Sequence, residues 1–333
     1  MSRNWSRHLE LQLVDNNDKG ISLSGFKVTF KISWQSGANP KVAEIKIYNL
    51  SESTSKRITG PEFTRIRIFA GYGRSVYDES EVGTVKPVIV GARSNETNVG
   101  LLFGGDIRLT VTGRETSPDN WLVIQAIDGH EVISSAVLSA TLAKGYTAED
   151  MYDLIGNALK PYGVVSGNRP IFPITEFPRG YTFHGKVSAY LDRLASLCGA
   201  EWQILNDRLD LYTPDQISHE PINISSRSGV IGMPQQTSGN EFSLKCLINP
   251  DIQVYGLIKL ENNWPYPVVP ELGTTAASAN AQRANGGIYK VYGIVYKGDS
   301  RGLEWYMDIM CRPLNSQHPS DENVNKWSTE KMK

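Results

Sequence analysis

The chain has 333 residues, 40% of them hydrophobic and 21% charged, more than one ordinary core holds, so roughly two or three domains are expected. Its 34 basic and 35 acidic residues leave a net charge of -1, which excludes the basic footprint of a general nucleic-acid binder and argues against sustained phosphate binding. Three cysteines, Cys198, Cys246 and Cys311, are odd in number, far apart and set in apolar runs, so they read as small buried hydrophobes of a reduced compartment.

Met1 to His8 is polar and lacks an apolar signal core. No run approaches the ~20 apolar residues of a membrane span, so neither signal-directed export nor stable membrane insertion is expected. From Leu9 to about Asp128 apolar residues recur with a period of two: Leu9, Leu11, Leu13; Phe26, Val28, Phe30, Ile32; Ala43, Ile45, Ile47; Ile66, Ile68, Ala70; Ile107, Leu109, Val111. Each run stops at Gly, Asn, Ser or Pro, and Ser117 to Asn120 turns the chain into a hairpin partner over Trp121 to Ile127. Strands at this spacing predict a small barrel over residues 1–136. At about 73–100 the apolar signal thins, and a long loop or hairpin excursion is expected there.

Helical signal is confined to the middle. Thr147 with Asp150 predicts a capped helix over about 147–160, whose face of Met151, Leu154, Ile155, Ala158 and Leu159 is ended by Pro161. A second helix over about 188–198 buries Leu191, Leu194, Ala195 and Cys198 and stops at Gly199, which suits a left-handed cap. A hairpin over 202–212 turns at Asn206-Asp207, so residues 137–225 read as a small α+β domain inserted between β segments.

The pattern returns to β over 226–315, opening at Val230 to Pro234. Phe242, Leu244, Cys246 and Ile248 alternate with polar residues, Asn249-Pro250 stops that strand, and another is expected to begin at Ile252. Residues 274–287, rich in Ala, Ser, Asn and Gly, read as a flexible loop. Ile288 to Tyr296 is strand-like, Lys297-Gly298-Asp299 reads as a turn, and Leu303 to Cys311 as the returning strand. Residues 316–333 form a polar tail expected to order only against a neighbour.

A search for chemistry yields no catalytic, cofactor or metal residues. Gly20 to Gly25 has the wrong spacing for a nucleophile elbow, and His130-Glu131 has Ser134 where a zinc helix needs its second ligand. His8, His130, His184, His219 and His318 are scattered as strand-end or loop residues. Gly71 to Arg74 and Gly104-Gly105-Asp106 lack the lysine and strand-to-helix setting of a phosphate loop. Asp106, Asp128 and Asp299 could be imagined as paired acids for glycoside cleavage, but each sits beside glycine, where aspartate bonds nearby backbone amides. Trp121, Trp202 and Trp305 fall in strand-like runs and read as core; Trp34, Trp264 and Trp327 lie in polar or proline-bounded stretches suited to interface anchors.

The ordered succession of Ala43-Glu44-Ile45-Lys46-Ile47-Tyr48-Asn49-Leu50-Ser51, Ala70-Gly71-Tyr72, Asp119 to Gly129, Arg179 to Gly185, Tyr190-Leu191-Asp192, Gly232-Met233-Pro234, Leu247 to Pro250 and Gly298 to Gly302 with Trp305 resembles the bacteriophage tail baseplate hub proteins of the Mu-like and prophage type. The resemblance spans most of the chain. It implies a mainly β fold with an α+β insert, in which two tail-tube-like β-barrel domains flank the small α+β domain. It also implies a homotrimeric structural protein of the virion tail, made in the host cytoplasm, adapting a sixfold tube to a threefold spike. The implied partners are further copies of the chain, a tail tube or distal tail protein, a spike or needle protein, and the tape measure and other baseplate proteins. The resemblance further implies that DNA passes the lumen without specific binding. A hub of a contractile injection or secretion apparatus is the alternative of the same kind; a cell-wall hydrolase or carbohydrate-binding module is the alternative of another.

Overall fold

The computed structural model describes residues 6–73, 83–88, 98–115, 119–225, 228–236, 241–260 and 287–313. The first strands are β1 (Ser6–Val14), β2 (Gly20–Ser24), β3 (Val28–Gln35) and β4 (Val42–Tyr48), then helix α1 (Glu52–Thr59), β5 (Arg65–Gly73), β6 (Thr84–Pro87), β7 (Asn98–Arg114) and β8 (Asn120–Ile127). The middle holds α2 (His130–Ser135), β9 (Val137–Leu142), α3 (Ala148–Leu159), β10 (Val165–Ser166), β11 (Tyr181–Lys186), α4 (Val187–Cys198), β12 (Glu201–Leu205) and β13 (Arg208–Tyr212). The remainder is β14 (Ile222–Ile224), β15 (Gln235–Gln236), β16 (Phe242–Leu247), β17 (Leu257–Leu260), β18 (Ile288–Asp299) and β19 (Trp305–Pro313).

The protein is mainly β with a small α+β insert, as the sequence predicts. The two outer β segments, however, do not close as separate barrels among the described residues. They form one 14-stranded sheet in the order β15-β16-β19-β18-β3-β4-β8-β7-β5-β1-β2-β6, with β17 on β18 and β14 on β17. The reason lies at β3: its second edge pairs antiparallel with β18, from Gln35 opposite Gly293 to Thr29 opposite Asp299, and not with a strand of its own segment. The alternation read from sequence gives both segments one apolar face, and those faces merge into a single core running from Leu9 through Ile32, Ile45, Ile124 and Ile294 to Cys311.

The insert has a core of its own, in which Met151, Ile155 and Leu159 of α3 meet Leu191 and Leu194 of α4, Phe183, Trp202 and Leu211. Helix α3 begins where expected because Thr147 and Asp150 form a reciprocal capping box, the Asp150 carboxylate accepting from the Thr147 amide at 2.8 Å. Helix α4 ends on Gly199 in the left-handed conformation, φ 57°, a geometry that favours a residue without Cβ.

Local differences from the sequence reading have physical causes. No strand begins at Ile252: Asn249 accepts the Ile252 and Asp251 amides in a turn, Tyr255 has φ 65°, and the next strand starts at Leu257. Ile252 and Val254 are still buried, inserted from a loop. The turn expected at Lys297-Gly298-Asp299 lies further on, because Gly298 stays in the ladder opposite Trp305 and the Asp299 carboxylate then takes the Arg301 and Gly302 amides. Strands β2, β9 and β11 and the short helices α1 and α2 were not anticipated; β2 carries only Ile21 and Leu23 as buried apolar residues, and α1 is set by its Ser51 cap. In the expected excursion, β6 pairs with β2. Most of that excursion, most of the 274–287 loop and the 316–333 tail lie outside the described residues.

Replacing Thr147 with Ala should lower stability by about 1 kcal/mol, while Ser should retain most of it. Urea midpoints of the two variants against the parent check this, with the slope of the transition unchanged.

Candidate functional site at the junction of sheet and insert

A set of hydrogen-bonded and charged groups holds the insert to the sheet. Asn206 and Asp207, both at positive φ, make the tight turn between β12 and β13, and this turn docks on the end of β8. Both carboxylate oxygens of Asp128 accept from the Asn206 amide, at 3.2 and 3.0 Å. Arg65 of β5 reaches Asp207 at 2.7 Å and Asp106 at 3.6 Å. The approach needs glycine at 104 and 105: a Cβ on Gly104 would lie 2.9 Å from Asn206 Oδ1, and one on Gly105 2.8 Å from the Asp128 amide nitrogen.

A second set of contacts brings three parts of the chain together. Trp34 Nε1 donates to Gln203 Oε1 at 3.2 Å, and Gln203 Nε2 donates to the Gln35 carbonyl at 2.9 Å and to the Tyr255 hydroxyl at 3.3 Å. Tyr255 Oη accepts from the Gly37 amide and donates to Glu201 at 2.6 Å. Its ring stacks on Tyr212 with centroids 4.4 Å apart. Lys290 of β18 donates to the Pro214 and Gln216 carbonyls. First β segment, insert and second β segment thus share one hydrogen-bonded junction.

Two ionisable groups are fully buried beside it. Burial pushes the Asp128 carboxyl up to about 7, opposed by the Asn206 amide and by Lys41. Burial also pulls the Lys41 ammonium down to about 8, partly offset by Asp128. The Lys41 Nζ lies 4.1 Å from the centroid of the Trp34 ring, a placement that gives a desolvated cation some compensation. Burial, reinforced by Glu201, holds the Tyr255 phenol well above its ordinary value, so it remains a donor.

The aspartates weighed as acids have structural partners. Asp106 accepts the Glu131 amide at the start of α2, Asp128 holds the insert's turn, and Asp299 accepts two amides in its own loop. His130 opens α2, His184 lies in β11, and His219 Nε2 accepts from the Gln253 amide. His8 lies in β1 with its Nε2 buried. His318, Trp264 and Trp327 lie outside the described residues. Trp202 and Trp305 are core as expected. Trp34 is not a surface anchor; it is buried at the junction, because Ile32 and Trp34 share the inward face of β3. Trp121 departs from its core reading as well: it is half-buried on the outer face of β8, its indole lying against Gly113, where a Cβ would come within 2.3 Å. Cys246 and Cys311 are buried free thiols and Cys198 is partly buried.

Sequence reasoning missed Gln203, Glu201 and Tyr255. The one available signal is Gln203 itself, a polar residue in an otherwise apolar strand centre. Among the described residues no cluster of three or more His, Cys, Asp or Glu side chains is placed to hold a metal, and no helix is long and apolar enough to cross a membrane.

This architecture is a phage tail protein fold. The chain is similar over 93% of its length to the 43 kDa tail protein of prophage MuSo2 from Shewanella oneidensis, covering 98% of that chain with TM-score 0.56 and 9% identity. The tail protein of Neisseria meningitidis MC58 matches 92% of this chain and 96% of its own, with TM-score 0.56 and 8% identity. An Escherichia coli type VI secretion component, described as structurally similar to the T4 tail proteins gp27 and gp5, matches 90% of this chain and 79% of its own, with TM-score 0.51 and 10% identity. No family model matches the sequence, and no curated protein matches it either.

Replacing Lys41 with Met removes one of the two cations that act on the buried Asp128, Arg65 being the other, and should destabilise the fold by about 1 to 3 kcal/mol; Lys41→Met with Asp128→Asn should cost less than the sum of the two single changes. Urea midpoints give that coupling. The pH dependence follows from the same pair. The raised Asp128 pKa stabilises the folded state below its ordinary carboxylate value, and this is lost as pH rises through about 7. The depressed Lys41 pKa stabilises it above the ordinary lysine value, and this is lost as pH falls through about 8. The pair's contribution is therefore lowest between those two values, and the double variant should flatten that minimum.

Proposed function

We propose that this protein is a structural component of a phage tail baseplate: a homotrimeric hub that caps the distal tail tube, seats a spike or needle, and encloses the channel through which DNA leaves. The observation that carries the reading is the end-to-end fold match to two tail proteins, covering more than nine-tenths of each chain. The commitment of Asp106, Asp128 and Asp299 to backbone amides supports a non-enzymatic role. A net charge of -1 suits a wall that passes DNA without retaining it, because strong phosphate contacts would slow exit. Residues 1–136 and 226–315 supply the tube-facing β segments and 137–225 the insert. The partners are copies of itself, the tube or distal tail protein, the spike, and the tape measure and other baseplate proteins.

The match to a secretion component favours one second reading, the hub of a contractile injection apparatus. Neighbouring capsid and terminase genes would assign the protein to a virus, and their replacement by sheath and effector genes to the apparatus.

Native mass measurement and electron micrographs of the full chain, with and without co-expressed spike, should show three copies arranged as a ring. A monomer under both conditions would overturn the hub. Turnover of purified peptidoglycan that is lost in Asp106→Asn or Asp299→Asn would replace it with a hydrolase.

A further inference from the structure

Two hydrophobic cores lie side by side in this chain with little shared between them. The sheet's core takes only Tyr212 and the partly buried Leu205 from the insert's hairpin, and the core around α3 and α4 contains no residue of the sheet. The insert can therefore keep its own core if it moves away from the sheet. The chain connects the two at two places. The entry is Asp128-Gly129, where Gly129 has φ 64° at the start of α2 and supplies a hinge without a Cβ. The exit follows Tyr212, and there Lys290 pins the Pro214 and Gln216 carbonyls to β18.

Asp128 stands at the entry and beneath the docked turn at once. Its amide donates to the Lys41 carbonyl at 2.9 Å, which fixes its backbone to the sheet. Its carboxylate is wholly buried and accepts from the Asn206 amide, which has no other acceptor among the described residues. Lifting the turn would bare the carboxylate to water. A carboxyl group buried in the closed form and hydrated in the open one binds its proton more tightly when closed. Lys41 from the segment ahead of β4, Arg65 of β5 and Asp207 of the turn act on it; Asp106 of β7 is tied in through Arg65, and His130 begins α2 two residues on.

We propose that the insert leaves the sheet as a folded unit, hinging at Gly129, and that a proton on Asp128 closes the junction. The sign follows from burial, which raises the closed-form value to about 7. The closed form is favoured fully below the ordinary carboxylate value, and that advantage is lost as pH rises through about 7. Lys41, at about 8, and Arg65 keep their charge between pH 5 and pH 7. Asp128 is then the group whose protonation differs between closed and open forms.

Hydrogen exchange of the full chain, resolved to single amides and corrected for intrinsic rates, tests this. The Asn206 opening constant should be about 10-fold larger at pH 7 than at pH 5. Amides of α3 and of the β3–β18 ladder should be better protected at both pH values, because they open only when a core unfolds. The Trp34 indole N–H, bonded to Gln203 at another part of the junction, should open in step with Asn206 in a sample labelled with 15N-tryptophan. Asp128→Asn keeps an acceptor but cannot titrate, so its Asn206 opening should be the same at both pH values, while His130→Asn should behave as the parent. An Asn206 amide as protected as α3, or one that opens while the Trp34 indole stays closed, would show that the insert does not leave as a unit. A pH dependence that survives in Asp128→Asn, or that disappears in His130→Asn, would overturn the role of Asp128. These readouts do not depend on copy number, so their failure leaves the hub reading in place.

Discussion

Antiparallel pairing of β3 with β18 joins residues about 260 positions apart in sequence, and nearly everything else in the architecture is arranged around that ladder. It turns two strand sets into one sheet, so the apolar faces of both bury against a common core. Its geometry is tight. Gly298 faces Phe30 in the register, and a Cβ there would come within 2.3 Å of the phenyl ring. Phe30 in turn meets Trp305 edge-on at 5.6 Å. One further pair, Lys297 opposite Lys31, places like charges across the ladder, an arrangement that costs stability unless the ammonium groups diverge or find partners. Lys297 lies 6.0 Å from the Tyr306 ring centroid on one side. Glu44 stands opposite Lys31 on the other.

The insert is attached by a different kind of force. Its helices bury their apolar faces within the insert itself, so the hairpin that meets the sheet presents Glu201, Gln203, Asn206 and Asp207. Hydrogen bonds of this sort contribute modest net stability, yet leaving any one partner unmatched in a buried site costs more than the bond contributes. Such a junction favours one docking pose strongly over its neighbours without adding much affinity. The helices can tolerate changes on their own outer faces, whereas Asp128 or Gln203 cannot change without stranding a buried partner.

The legible parts of the fold were those set by local chemistry. Thr147 with Asp150, Gly199, the Asn206-Asp207 turn and the alternating runs of β1, β3, β4, β8 and β16 each carry their cause within a few residues. What was not legible depended on partners distant in sequence. The alternation of β3 says which face is buried, but nothing local says that its free edge will meet β18 and not close a barrel. Trp34 sits in a polar stretch that suggests a surface anchor; the acceptor of its buried indole N–H, Gln203, is 169 positions away. Trp121 erred in the opposite direction, because a strand-like run identifies a strand but not which face turns inward. Of the candidate acids, Asp299 bonds nearby amides as its place beside glycine suggests, whereas the amide that Asp106 accepts is 25 positions away. That Asp128 would accept from another unit's turn could not be read locally.

These two modes of attachment differ in how they would yield to displacement. The sheet joined through β3 and β18 combines a continuous ladder of backbone hydrogen bonds with a packed core. The insert is held to that sheet by a compact set of directional bonds centred on Asp128, Arg65, Gln203 and Tyr255. Displacing it requires breaking several of them together, which makes the movement cooperative in place of gradual.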